Sequence, residues 1–311
     1  MFQSSGKICA VINPVSGVGS KDKIREMLVS RGVEVEILTT EYAGHASVLT
    51  RKAVDEGVQC VIAVGGDGTV NEVACSLLNT DVTLGIIPKG SGNGLARELC
   101  IPFDVRKALD VIFDAHITVI DACKANEHPF FCTCGLGFDA TVSEVFAKAK
   151  RRGSLTYLKN IVTEYLNYKP AVYELSIGNQ TIREKAFLIA CANASQYGNN
   201  AYIAPHADIC DGQMDVIMLA PFTYFDVGPL AFQLFTKTIN LNSKIKTFCT
   251  SEAIITREHE GFMHIDGEPV SAGREIIVSI IPKALKVATP AVIPFAHNAI
   301  QRFNDIFGFF E

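Results

Sequence analysis

The feature that most constrains this chain is a change of period inside residues 60–78. Cys60 to Val64 is a short apolar run with three β-branched residues, the composition of a strand covered on both faces. It stops at Gly65-Gly66-Asp67-Gly68-Thr69, and from there Val70, Val73, Ala74, Leu77 and Leu78 recur at helical spacing. A strand that breaks at three glycines and restarts as a helix brings backbone N–H groups and the positive end of a helix to one place. That is an anion site. Gly65, Gly66 and Gly68 let a phosphate approach the backbone closely. Asp67 cannot bind the anion itself and is read as the holder of a magnesium ion, its water or a substrate hydroxyl. A purely structural glycine turn is the plainer alternative, but a lone carboxylate inside a phosphate loop has no obvious packing purpose.

Composition narrows the class. With 311 residues and 48% hydrophobic content the chain can bury two ordinary cores. Its ten cysteines are scattered, mostly in apolar runs and without a C-x-x-C pair, so they read as reduced core residues of a cytosolic protein rather than zinc ligands or disulfides. The net charge of −5 argues against nucleic acid as a partner and against adsorption of the whole surface to anionic lipid, so any membrane contact has to be local. The N-terminus lacks the blocks of a signal peptide, and no uncharged apolar stretch reaches spanning length. The nearest, 219–235, contains Pro221, Asp226 and Pro229.

Residues 1–122 alternate strictly between strand and helix. Lys7 to Ile12 is a first strand, followed by Asn13-Pro14-Val15-Ser16-Gly17-Val18-Gly19-Ser20-Lys21, a second candidate phosphate loop that fits neither standard nucleotide fingerprint. Val33, Val35 and Ile37 lead to Thr39-Thr40, and Gly44-His45-Ala46 opens a helix, with His45 read as a cap or core histidine. After the central motif come the strand Thr83 to Pro88 and the turn Lys89-Gly90-Ser91-Gly92-Asn93-Gly94. Glycine turns after successive strands line one edge of a parallel sheet, the edge where open α/β folds bind ligands. Beyond 122 the pattern changes to strands at Tyr173–Ile177, Ile182–Ala194, Met214–Leu219, Thr247–Thr256, Phe262–Ile265 and Glu275–Ile281, with a helix at Leu155–Leu166 after the basic run Lys148, Lys150, Arg151, Arg152. The expected fold is α/β plus all-β: an N-terminal doubly wound three-layer α/β domain (1–122, completed by an amphipathic segment in 288–311) and a C-terminal antiparallel β-sandwich domain (123–287).

In this order of motifs the sequence resembles the diacylglycerol kinase catalytic family, which takes in soluble bacterial lipid kinases and the diacylglycerol, sphingosine and ceramide kinases. The resemblance spans nearly the whole chain: Asn13-Pro14, Ser16-Gly17, Gly44-His45-Ala46, Gly65 to Val73, Pro88 to Asn93, Gly135 to Asp139, Pro205, Asp211-Gly212, Asp215 and Asp266-Gly267-Glu268. It implies ATP-dependent phosphorylation of a lipid hydroxyl in the cleft between two domains. It also implies that Asn13, Ser16, Gly17, Lys21, Thr40, Gly65, Gly66, Gly68, Thr69, Gly90, Ser91, Gly92 and Asn93 hold the nucleotide and its phosphates. Asp67 and Glu268 would be catalytic, Glu268 as the base for the hydroxyl, although Asp-Gly is also the commonest hairpin signal. Asp211 and Asp215 resemble the family's magnesium site, with a hairpin turn as the alternative, and Arg152 falls where sphingosine kinases bind phosphate. The implied cofactors are ATP and Mg2+. The implied setting is cytoplasmic, in peripheral contact with the inner membrane face through apolar residues near 222–235; a homodimer is left open.

One departure bears on substrate. Bacterial diacylglycerol kinases usually follow the equivalent of Asn93 with an acid, and here Gly94 stands there. Asp139 lies where sphingosine kinases carry an acid that recognises an amine. A sphingoid base is therefore placed slightly ahead of diacylglycerol. The rivals are an NAD kinase, which shares the Gly-Gly-Asp-Gly-Thr turn, and a non-catalytic lipid or nucleotide sensor on the same fold.

Overall fold

A computed structural model describes residues 7–16, 21–31, 35–114, 116–148, 165 and 168–291. The chain divides into two compact units, Met1–Ile120 with Lys283–Glu311, and Asp121–Pro282. The expected boundaries at 122 and 287 fall inside β5 (His116–Ala125) and β16 (Glu275–Thr289). Each of these strands runs on from one unit into the other, so no linker composition marks the change.

The first unit is built on β1 (Ile8–Ile12), β2 (Val35–Thr39), β3 (Cys60–Gly65) and β4 (Thr83–Pro88), in the parallel order β2-β1-β3-β4. The end of β16 adds a further parallel strand beside β4, with Lys286 opposite Thr83 and Val287 opposite Leu84. β1, β3 and β4 are buried throughout, which is why they read as unbroken apolar runs. Between them run α1 (Lys21–Val29), α2 (His45–Asp55), α3 (Asp67–Leu77), α4 (Gly94–Glu98) and α5 (Val105–Asp114). The amphipathic α5 turns Ala108, Leu109 and Ile112 inward and packs on β4 so closely that a Cβ at Gly85 would stand 3.0 Å from the Ile112 side chain. The strand order reverses between β1 and β3, the crevice position at which doubly wound sheets bind ligands. The expected C-terminal helix lies outside the described residues from 292 onward.

The second unit is a β-sandwich. β7 (Thr133–Gly137), β10 (Leu188–Ala192), β11 (Met214–Leu219), β12 (Ile245–Thr250), β14 (Gly261–Ile265) and β15 (Glu268–Ala272) form a 6-stranded antiparallel sheet in the order β12-β11-β10-β7-β14-β15. The facing layer holds β8 (Ala171–Ile177), β9 (Gln180–Ala186), β13 (Glu252–Arg257) and the start of β16, with the hairpin of β5 and β6 (His128–Phe130) beside them. Leu136, Cys191, Val216 and Met263 from one layer meet Leu175, Ile255, Ile276 and Val278 from the other in a shared core. Cys123, Cys134 and Cys191 lie in that core as free thiols, and burial pushes Cys191 up to about 12, so it stays protonated and inert. The opposite face of the 6-stranded sheet carries a second apolar cluster, covered by α6 (Phe138–Lys148) and α7 (Tyr224–Phe235).

Two expected strands are each two. Ile182–Ala194 breaks at Phe187 into β9 and β10, and Thr247–Thr256 breaks at Ser251 into β12 and β13. In both cases the chain crosses from one layer of the sandwich to the other. The alternation of apolar residues continues across the break because both halves bury one face in the same core. The expected helix Leu155–Leu166 lies outside the described residues except for Tyr165, which is helical.

Candidate functional site

The loops at the C-terminal ends of β1 to β4 carry the candidate nucleotide residues, and hydrogen bonds fix their order. Asn13 stands at the end of β1, where its N–H donates to the Val64 carbonyl at 3.0 Å and its Nδ2 to Thr69 Oγ1 at 3.1 Å. The first loop is thereby tied to the start of α3. Thr40 N–H donates to the Ile12 carbonyl at 2.9 Å, which sets the end of β2 beside the same loop. Two buried hydroxyls here, Ser16 Oγ and Thr39 Oγ1, have no hydrogen-bond partner among the described residues. Such groups are expected to meet a ligand or solvent. Thr39 was not singled out by the sequence, where Thr40 stood for the pair; strand alternation decides which of two neighbouring threonines faces the edge. Gly17 lies outside the described residues, and of Lys21 only the helical backbone is described.

The glycine loops after β3 and β4 are laced together. Lys89 N–H donates to the Gly65 carbonyl at 2.8 Å, and the backbones of Gly66 and Gly90 run so close that a Cβ on Gly90 would come within 2.6 Å of the Gly66 Cα. Asn93, buried and in the left-handed region at φ 52, pairs its side-chain amide with both the N–H and the carbonyl of Gly90, at 2.9 and 2.6 Å. Asp67 lies across the two loops: its Oδ2 accepts the Asn93 N–H at 2.8 Å and its Oδ1 the Gly94 N–H at 2.6 Å. Arg97 closes the turn from the other side, donating from Nε to the Gly92 carbonyl at 2.8 Å. Ser91 is exposed at the tip.

Internal carboxylates decide which helix start is open to an anion. At α2, Glu72 accepts the N–H groups of Gly44 at 2.8 Å and Ala46 at 3.0 Å, so a side chain already fills the anion position there. His45 Nδ1 accepts the Glu41 N–H at 3.1 Å and its ring stacks on Tyr42, so it ties down the turn before α2 and caps none of the helix N–H groups. At α4 the same position is filled by Asp67. α3 differs: its N-cap residue is Gly66 and no side chain caps it. Of these three helix starts, α3 alone has no carboxylate on its first-turn N–H groups among the described residues, and it lies at the switch point with Asn13 and Thr69 beside it. Among residues of the first unit, Glu72 and Arg97 are those that sequence reasoning left without a role.

In the second unit Asp266-Gly267 forms a two-residue hairpin loop with both residues at positive φ, 47 and 88, between Ile265 and Glu268. Asp266 is also an anchor. Its carboxylate accepts the N–H groups of Phe131 at 2.9 Å, Cys132 at 2.8 Å and Thr133 at 3.0 Å. Glu268 follows at the start of β15, exposed and without a hydrogen bond among the described residues. Asp139 starts α6 and is not free: Tyr197 Oη donates to its Oδ2, and His264 Nε2 stands 3.7 Å from that oxygen. His264 Nδ1 accepts the Gly267 N–H at 3.4 Å, which turns Nε2 toward Asp139. Gly135 makes the room, because a Cβ there would meet His264 Nε2 at 2.4 Å. His264 pairs with Pro269 and Ile265 with Glu268, so His264 and Glu268 leave the hairpin on opposite faces.

Asp211 and Asp215 belong to a tightly bonded turn. Asp211 Oδ1 accepts the Gln213 N–H at 2.9 Å, Asp121 Oδ2 accepts the Gly212 N–H at 2.7 Å, and Asp215 is buried within β11. Among the described residues no group of three or more His, Cys, Asp or Glu is gathered as a metal site. A magnesium ion fits Asp67 better. Each of its oxygens accepts one N–H and keeps a lone pair, and magnesium takes one or two carboxylates together with water and substrate phosphate. Arg152 lies outside the described residues.

An α/β unit with glycine turns gathered at the C-terminal edge of its parallel sheet, followed in the chain by an antiparallel sandwich, is the class that these features define. The chain belongs to the diacylglycerol kinase catalytic domain family: residues 7–125 match that domain and residues 132–289 match the YegS C-terminal NAD kinase beta sandwich-like domain. It is 30% identical over 275 residues to a Citrobacter koseri protein described as a probable lipid kinase YegS-like, covering 86% of this chain and 90% of that one. It is 32% identical over 228 residues to a diacylglycerol kinase of Mycobacterium tuberculosis, covering 68% and 73%. Among solved structures, that of a diacylglycerol kinase from Bacillus anthracis superposes with a TM-score of 0.71 at 19% identity, over 92% of this chain and 98% of that one. The NAD kinase of Archaeoglobus fulgidus in complex with ATP gives 0.53 at 13% identity, over 97% of both. These structural likenesses establish the fold.

Proposed function

We propose that this protein is an ATP-dependent lipid kinase, which transfers the γ-phosphate of ATP to the hydroxyl of a lipid. The observation that carries the reading is the uncapped start of α3, flanked by Asp67, Asn13 and Thr69, in a chain of this family. Phosphoryl transfer asks the protein mainly for positioning and charge neutralisation. The α3 N–H groups bind phosphate oxygens, and Asn13, Ser16, Thr39 and Ser91 add polar contacts around them. A magnesium ion held by Asp67 would neutralise charge on the transferred group. Glu268, exposed and unengaged, takes the proton of the lipid hydroxyl as its oxygen bonds to phosphorus and the bond to the departing ADP breaks.

A neutral lipid hydroxyl is the acceptor we favour. The case for a sphingoid base rested on Asp139 being an unpaired carboxylate that needs an amine. Tyr197 donates to it, and His264, 3.7 Å from it, leaves the β14–β15 hairpin on the face opposite to Glu268. Gly94 in place of an acid is compatible with either lipid, since Asp67 provides the carboxylate at that turn. Among the described residues no helix is long and apolar enough to cross a membrane, so contact with a bilayer would be peripheral, at the cytoplasmic face where ATP is supplied.

The test is turnover of radiolabelled ATP with magnesium and an extracted lipid pool. Label in the organic phase is expected. Label on NAD instead, or ATP binding without turnover of any lipid, would replace the reading with one of its rivals.

A further inference from the structure

α7 (Tyr224–Phe235) is an apolar helix turned outward. It buries only Leu230 of its twelve residues, whereas Tyr224 is 69% exposed, Phe225 75%, Phe232 69% and Phe235 59%, with Leu241 beyond it at 74%. A surface helix of a water-soluble unit shows the reverse pattern. The helix is not loosely held, so exposure is not fraying: Thr223 and Asp226 close a capping box at its start, and Tyr202 N–H donates to the Leu234 carbonyl at 2.8 Å. Asp226 is the one charged residue in the helix, and it is consumed by that cap and by Lys244 at 3.7 Å. Just past the C-cap residue Thr236, Lys237 lies over the Tyr202 ring at 4.3 Å.

Beneath α7 the apolar packing continues inward as a series of tilted rings. Phe222 packs on Phe187 at 4.5 Å between centroids, and Phe187 on Phe138 at 4.6 Å, which brings the series to the residue before Asp139. We propose that the outer face of α7 is the surface by which this protein docks on a lipid bilayer. Aromatic side chains with a neutralised acid and a flanking lysine are the composition of a membrane interface. A patch meant for a second protein would carry fixed polar partners at its rim. The proposal deepens the lipid-kinase reading and rests on it for the identity of the occupant.

The chain contains no tryptophan, so Phe232→Trp creates a single reporter. With vesicles of phosphatidylcholine and phosphatidylglycerol its emission should shift to the blue and be quenched by brominated lipid. In co-sedimentation, a triple change of Phe225, Phe232 and Phe235 to Ser should lower vesicle affinity at least about a hundredfold at unchanged melting temperature, since each ring is worth tenfold or more. Turnover of a short-chain, water-soluble acceptor should be unaffected by the triple change, while that of a vesicle-borne acceptor falls. Emission that ignores vesicles, or a triple variant that binds them as the wild type does, overturns the proposal. So does a shift that appears without vesicles as protein concentration rises and sedimentation velocity shows a dimer, because the occupant is then a second copy. The binding measurements need no turnover: vesicle docking through α7 in a protein that phosphorylates no lipid would refute the kinase reading and leave the surface standing.

Discussion

At the scale of single residues, the acids of the first unit separate by what their oxygens touch. Asp67 and Glu72 sit on the same helix and each accepts two backbone N–H groups, yet one borders the open start of α3 and the other closes α2. Asp67→Asn removes the charge and turns an NH2 group toward an N–H that needs an acceptor. Turnover should fall at least about a hundredfold, with a loss of about 1–2 kcal/mol seen as a lower melting temperature. The two bonds from Asn93 and Gly94 are the reason for that loss. Glu72→Gln should cost a similar amount, about 1–2 kcal/mol, and leave kcat near wild type. A large loss of kcat in Glu72→Gln without loss of stability would contradict the division. Asp67 was legible because its motif is local. Its partners lie 26 and 27 residues along the chain, and how one loop rests on another is not written in either.

At the scale of elements, the strand, glycine and helix succession of the first unit could be read directly, since each parallel strand is an isolated apolar run followed by a helical period. The sandwich was harder. β9 into β10 and β12 into β13 keep their alternation while changing layers, so period alone merges them. The β14–β15 hairpin was legible from Asp-Gly, but the three N–H groups that Asp266 gathers from 131–133 were not. That hairpin gives a paired prediction. Asp266→Asn can keep the positive φ of the turn and loses at least one acceptor for those donors, so the second unit should lose about 1–3 kcal/mol. Glu268→Gln touches no such bond and should keep the melting temperature while lowering kcat a hundredfold or more. If Glu268→Gln turns over near the wild-type rate, the base is another group.

At the scale of the whole molecule, the proposed function gives the phosphate donor to one unit and the acceptor to the other, and Asp139 is where the structure adds most to the sequence. Motif order placed a carboxylate at 139 and could not reveal Tyr197 and His264, which reach it from 58 and 125 positions away. A carboxylate that already accepts a hydroxyl hydrogen bond and has an imidazole nitrogen 3.7 Å away is not an unpaired charge, so a bound lipid need bring no cation. Asp139→Asn should still accept the Tyr197 hydroxyl and lose the His264 contact, with a modest fall in stability. Its effect on turnover should then be the same, within about threefold, for diacylglycerol and for sphinganine, and diacylglycerol should be the better substrate. An ion pair to an amine would show itself otherwise: Asp139→Asn would raise KM for sphinganine at least about tenfold while leaving diacylglycerol unchanged. Steady-state kinetics of the two proteins on the two lipids, in mixed micelles of one detergent, distinguishes these outcomes, and the second would return the sphingoid base to first place.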